Sequence, residues 1–133
     1  MKLSKDEIQC LALLDKCGIP AHSCYLDKKF ITFFIPNRYY RSVLRKVKSR
    51  SQTLKKKFSK TIELFPYDEN LEKCLELSLK AFGVNPLAIT LKGETVLIKL
   101  SVDDKGKIFK NISKFKRFKE LLKNTFEIKT IKV

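Results

Sequence analysis

Ten lysine and arginine side chains, and no carboxylate, fall within NRYYRSVLRKVKSRSQTLKKKFSK, residues 37–60: Arg38, Arg41, Arg45, Lys46, Lys48, Arg50, Lys55, Lys56, Lys57 and Lys60. Cations at this density neutralise phosphates, and a surface that mixes both signs does not produce such a run. The competing reading is a solvated helix face in a lysine-rich protein. A second basic stretch, Lys105 to Lys123, repeats the pattern.

Other groups invite metal or acid–base chemistry. Cys10, Cys17, His22 and Cys24 could supply four zinc ligands, but their spacing matches none of the C-x₂-C arrangements, and a helix-to-strand span is poor geometry for a tetrahedral site. Small buried thiols, reduced in a cytosolic protein, are the simpler reading of all four cysteines, Cys74 included. His22 has no evident partner for base catalysis. Asp103 and Asp104 suit a helix N-terminus without any metal. No P-loop, dinucleotide or triad signature is present. The expectation is a protein that is not an enzyme and carries no cofactor.

The 133 residues hold 29 Lys and Arg against 14 Asp and Glu, a formal charge of +15. Such an excess repels itself in the compact state and favours an anionic partner: a nucleic acid first, an acidic lipid surface second, an acidic protein third. No apolar run approaches the roughly 20 residues of a membrane span. MKLSKDEIQ is charged from its start and lacks the apolar region of a signal peptide, so a cytoplasmic location is expected.

The elements that must position these groups can be read from local signals. Ser4 and Glu7 form a capping box ahead of a helix from Lys5 to Lys16, which Gly18 ends. Strands are expected at Ala21–Leu26 and Phe30–Ile35, joined by a turn at Asp27-Lys28-Lys29. Pro36-Asn37 stops the second strand and opens the basic segment. There Tyr40, Val43, Leu44 and Val47 lie at helical spacing, as do Ser51, Leu54 and Phe58 after a slip of phase near Lys48 to Arg50. Two helices meeting at a basic corner account for the slip. Thr61–Phe65 alternates as a third strand. The order then repeats: a helix from Leu71 to Phe82 capped by Asn70 and ended by Gly83, strands at Leu87–Leu91 and Thr95–Val102 around a Lys92-Gly93 turn, two basic helices striped by Ile108, Ile112, Phe115, Phe118 and Leu122, and a closing strand over Phe126–Val133. Phe30, Phe33, Phe34, Phe115 and Phe118 sit at core spacing. Of Tyr39 and Tyr40, either packs inward or offers a ring to a base. The reading is an α+β chain of two tandem α-β-β-α-α-β units, residues 1–66 and 67–133, each a three-stranded sheet with helices on one face and the two packed on each other.

This order, with a basic corner between two helices, resembles the type II KH domain, and two in tandem resemble the archaeal NusA-like family. MKLSKDEIQCLALLDKCG resembles that family's opening helix and AHSCYLDKKFITFFIP its first hairpin. Ser101-Val-Asp-Asp-Lys-Gly106, Phe115-Lys-Arg-Phe-Lys-Glu-Leu-Leu122 and Phe126-Glu-Ile-Lys129 resemble its second half. The resemblance implies a role like that of bacterial NusA, an RNA-binding factor of transcription elongation and termination, without the polymerase-binding N-terminal domain.

KH domains clamp about four nucleotides with a G-x-x-G loop between the paired helices. By position the loops here are Arg45-Lys46-Val47-Lys48 and Lys110-Asn111-Ile112-Ser113, and neither holds a glycine. Charge would then have to replace backbone donors, with Arg41, Arg45, Lys46, Lys48, Arg50, Lys110, Asn111, Lys114 and Lys116 as candidate RNA-binding residues. The partner implied is single-stranded or structured RNA. Alternatively, the pair has lost RNA binding and docks on RNA polymerase or a ribonucleoprotein, or it is a KH piece of the small ribosomal subunit.

Overall fold

The computed structural model describes residues 3–133. The order is α1 (Lys5–Lys16), β1 (Ser23–Leu26), β2 (Phe30–Pro36), α2 (Asn37–Ser49), α3 (Ser51–Phe58), β3 (Thr61–Tyr67), α4 (Leu71–Leu79) with a 3₁₀ turn over Lys80–Phe82, β4 (Ala88–Lys92), β5 (Thr95–Lys99), α5 (Val102–Lys110), α6 (Ile112–Thr125) and β6 (Thr130–Lys132). This is an α+β chain with six helices and two three-stranded sheets, β1-β2-β3 and β4-β5-β6, an arrangement that fits two small tandem units. In each sheet the first pair is antiparallel and the second parallel.

Local chemistry sets most boundaries. The Ser4 hydroxyl accepts from the Glu7 N–H at 3.2 Å while the Ser4 N–H donates to Glu7 Oε1 at 3.0 Å, so two orphan groups of α1 are satisfied reciprocally. Asn70 accepts from the Lys73 N–H and Ser101 from the Asp104 N–H. Gly18 and Gly83 hold the left-handed conformation, with φ of 76° and 73°, just past their helices.

The registers superpose the two halves. Phe30 pairs with Thr61 at the start of one parallel ladder and Thr95 with Thr130 at the start of the other, so Thr32–Glu63 corresponds to Leu97–Lys132. In the antiparallel pairs Ser23–Phe34 corresponds to Ala88–Lys99. The helices differ in length. α2 has 13 residues and α5 has 9, about one turn fewer. α3 has 8 residues and α6 has 14.

Those extra turns of α6 matter for packing. Ile31, Phe33, Ile35 and Leu64 bury one face of the first sheet against α1, α2 and α3, in a core with Leu14, Val43, Val47 and Leu54. The other face carries Phe34 and Phe65, which join a second core with Leu75 and Leu79 of α4, Phe118 and Leu121 of α6, and Val96 and Ile98 of β5. α4 and α6 thus fill the space between the sheets. β2, apolar along nearly its whole length, is buried on both faces, which is what a continuous apolar run requires. Phe118 touches Phe34, Phe65, Phe82 and Phe115 at centroid distances of 4.8 to 6.2 Å.

Polar groups fix the same interface. Arg117 of α6 donates from Nε and Nη2 to Glu63 Oε1 and Oε2 of β3 at 2.9 and 3.0 Å, and its guanidinium lies 3.6 Å from the Phe30 ring centroid. Thr32 donates to the same Glu63 at 3.0 Å. Asn124 donates to Glu7 Oε2 and to the Cys24 carbonyl, and Thr125 exchanges a hydrogen bond with Ser23.

Several expectations are corrected. Arg45-Lys46-Val47-Lys48 is no loop: it is the end of α2, because no glycine or proline interrupts the helix there. The break is one residue, Arg50, and its counterpart is Asn111, inside the expected Lys110–Ser113 segment. Val102 does not extend β5. It is the first residue of α5 and 86% exposed, since the Ser101 cap overrides strand alternation. Ile112 leaves the inner stripe and is 38% exposed. The last strand shrinks to Thr130–Lys132. β3 runs to Tyr67, two residues past the expected Thr61–Phe65.

Candidate nucleic-acid interface

α2 and α3 meet at Arg50 (φ −114°, ψ 18°), and α5 and α6 meet at Asn111 (φ −118°, ψ 37°). Both corners use one residue of ordinary negative φ, so neither needs a glycine. Neither second helix receives a side-chain N-cap, which leaves its first N–H groups to water or an anion.

Around the first corner, Arg38, Arg41, Arg45, Lys48, Arg50, Lys55, Lys56 and Lys57 are all exposed. Among the described residues, no cation of 37–60 forms an ion pair; every salt bridge lies elsewhere. The cause is composition: no acid is near in sequence, and the strands beneath present apolar side chains. Such a surface holds its charge for an external anion.

Each unit has a groove between its paired helices and its last strand. In the first, a cleft of about 170 Å³ is lined by Val47, Ser51, Gln52, Lys55, Thr61 and Ile62. In the second, a cleft of about 160 Å³ is bounded by Ile108, Phe109, Ile112, Ile131 and the Lys105 and Lys119 side chains. The two are equivalent: Val47 matches Ile108, Ser51 matches Ile112 and Ile62 matches Ile131. Neither is lined by a carboxylate. They differ in character. The first has one lining cation, Lys55, beside Ser51, Gln52 and Thr61, whereas the second offers the Phe109 ring, 70% exposed, beside Lys105 and Lys119.

The structure places the nine candidate residues differently. Arg41, Arg45, Lys48 and Arg50 stand exposed on α2 and the first corner, and Lys110 is exposed at the end of α5. Asn111 is the second corner itself and donates to the Lys107 carbonyl at 3.2 Å. Lys46 is drawn back to the end of α1, where its ammonium donates to the Gly18 carbonyl at 3.2 Å. Lys107 does the same to the Gly83 carbonyl at 3.0 Å, so this contact is a repeated tie between helices. Lys114 turns inward, its ammonium 4.9 Å from the Phe82 centroid and 5.5 Å from that of Phe65. Lys116 is exposed but faces a separate depression bounded by Tyr25 and Asp27 of the first hairpin. Sequence reasoning passed over Gln52, Phe109 and Lys119 as groove residues. Phe109 was detectable, since it falls off the helical stripe formed by Ile108 and Phe115. Tyr40 is half-buried against the first core, while Tyr39 is exposed with the Arg38 guanidinium 4.8 Å from its ring.

The cysteines and His22 are not gathered: among the described residues, no three His, Cys, Asp or Glu side chains are arranged to hold a metal. All four cysteines are free thiols. Cys24 is buried and its Sγ donates to the Glu7 carbonyl. A hydrogen bond to the Cys10 sulfur, then burial, hold the Cys24 thiol far above its usual range. Burial pushes Cys74 up to about 11. Cys17 accepts from Lys57 Nζ at 3.3 Å. The His22 ring stacks on Tyr67 with centroids 3.9 Å apart, and desolvation there lowers its pKa. No helix among the described residues is long and apolar enough to cross a membrane.

No family model matches the chain, and no curated protein does. Among solved structures, the crystal structure of APE1850 is similar over 98% of this chain and 99% of its own, with a TM-score of 0.77 and 23% identity. At that identity the likeness extends to the fold alone.

Proposed function

We propose that this chain is an RNA-binding protein of the tandem type II KH, NusA-like kind, its units spanning residues 1–66 and 67–133, acting on nascent transcripts or structured RNA as an accessory factor of transcription elongation and termination. The observation that carries the reading is the first corner: among the described residues, none of the ten cations of residues 37–60 makes an ion pair, and the adjoining groove, with Lys55 in its wall, is lined by no carboxylate. Two equivalent grooves, each between paired helices and a parallel strand, each suit a single strand. Phosphates would run along Arg45, Lys48, Arg50 and Lys55, and a base would lie on Phe109. With one-residue corners in place of glycine loops, grip comes from side-chain charge, so binding is salt-sensitive and weakly sequence-selective.

Amide-shift mapping of the full chain with single-stranded RNA tests this. The expected shifts lie at 45–62 and 105–119. Shifts absent from both segments overturn the reading. A second reading, a docking module with little RNA binding, is favoured by the missing loops; it predicts no RNA shifts at low salt and retention on RNA polymerase or a ribonucleoprotein.

A further inference from the structure

The two sheets are equivalent in topology, yet only one has both faces covered. The outer face of the first sheet, Tyr25, Phe34, Glu63 and Phe65, lies under α4 and α6. The same face of the second sheet carries Thr90 and Lys92 of β4, Leu97 and Lys99 of β5, and Thr130 and Lys132 of β6, with no helix of the described residues over it. Side chains alternate along a strand, and Val96, Ile98 and Ile131 point to the core, so these residues must point away from it.

The substitutions at matched positions are specific. Lys99 stands where the first sheet has Phe34, and Lys132 stands where it has Glu63. In the first sheet, Glu63 receives Arg117 from the helix lying across it. In the second, the corresponding charge is inverted. Leu97, half-buried, lies directly beside Lys132 and supplies an apolar seat. A shallow depression of about 350 Å³ there is lined by no carboxylate.

We propose that the outer face of β4-β5-β6 receives an acidic amphipathic helix of a partner protein, laid across it as α6 lies across the first sheet, with carboxylates on Lys99 and Lys132 and an apolar residue on Leu97. Nucleic acid fits this face less well. Sheets that read RNA stack bases on aromatic side chains, and here the positions of Tyr25 and Phe30 hold Thr90 and Thr95. A second copy of this chain is opposed by the charge of +15 on each. This surface meets the groove that holds Phe109 at Lys105 and Val133, which line both, but Leu97, Lys99 and Lys132 belong to this face alone, and the inference does not depend on RNA binding.

The test is amide-shift titration of the full chain with a synthetic helical peptide bearing glutamates and leucines on one face, beside the same peptide with glutamines for glutamates. The expected result is shifts at Thr90, Leu97, Lys99 and Lys132, at least ten-fold weaker binding by the glutamine peptide, and at least ten-fold weaker binding by Lys99→Glu/Lys132→Glu. Both lysines are exposed, so the variant should melt as the parent does. Arg45→Ala/Lys48→Ala/Arg50→Ala should bind the peptide as the parent does. Peptide shifts confined to the corner at Arg50, an affinity within two-fold in the Lys99/Lys132 variant, or single-stranded RNA shifting this face in place of the peptide, would each overturn the proposal.

Discussion

Arg117→Ala should be the most informative single change at the junction of the two halves. The Arg117 and Glu63 side chains are only 13% and 12% exposed, and they share two hydrogen bonds of 2.9 and 3.0 Å. Removing the guanidinium leaves the Glu63 carboxylate in the interface with Thr32 as its remaining partner. Breaking a buried pair from one side costs about 3–5 kcal/mol. Loss of the stack on Phe30 adds about 1 kcal/mol, and water reaching the truncated site offsets a similar amount. The expected loss is therefore about 3–5 kcal/mol, or roughly 10–20 °C in melting temperature for a chain of this size. Arg117→Lys keeps the charge but not the fork or the stack, and should lose about half as much. The assay is urea unfolding of Arg117→Ala, Glu63→Ala and the double variant. A coupling energy of about 1.5 kcal/mol or more is expected. A loss below about 1 kcal/mol with no coupling would refute the idea that this pair locks the halves in register.

Three further outcomes follow from the same geometry. Because desolvation lowers the His22 pKa below the ordinary 6.5, the unfolded chain binds the proton first as pH falls. Stability should be fully present above pH 6.5 and decline as pH drops below it, and His22→Gln should remove that part of the slope in melting scans between pH 7 and 5.5. Gly18→Ala and Gly83→Ala should each cost about 1 kcal/mol, since a Cβ at φ of 76° or 73° is strained, while the 2.6 Å approach at Gly18 is to the flexible end of Lys46, which can swing away; thermal melts should show similar losses for the two. Phe109→Ala should leave the melting temperature unchanged and weaken RNA binding about five-fold or more, the worth of one stacked base.

Where a single residue type dictates backbone geometry or a cap, the sequence was readable. Ser4 with Glu7, Asn70, Gly18 and Gly83 mark helix ends that the structure keeps. The corner at Arg50 was legible only as a slip of phase, because Arg50 is neither a breaker nor a cap and the helix signal runs on through Lys48. Val102 continued the alternation of β5 so well that only the Ser101 cap could overrule it. The unbroken apolar run of β2 was read only as a strand of a sheet covered on one face; its burial on the second face comes from α6, about two turns longer than its counterpart, and nothing local announces that cover. At the site, the excess of charge was plain. Which cations are already engaged was not, because Lys46 finds the Gly18 carbonyl and Lys114 finds Phe82 only once distant segments meet.

The central claim is that the corner at Arg50 holds phosphates by charge alone. A titration of single-stranded RNA across a series of salt concentrations, with the parent and Arg45→Ala/Lys48→Ala/Arg50→Ala side by side, tests it most directly. Each phosphate contact contributes about 0.7 to the slope of log affinity on log salt, so losing three should flatten the slope by about 2. Equal slopes for both proteins, or no binding by the parent at low salt, would contradict it.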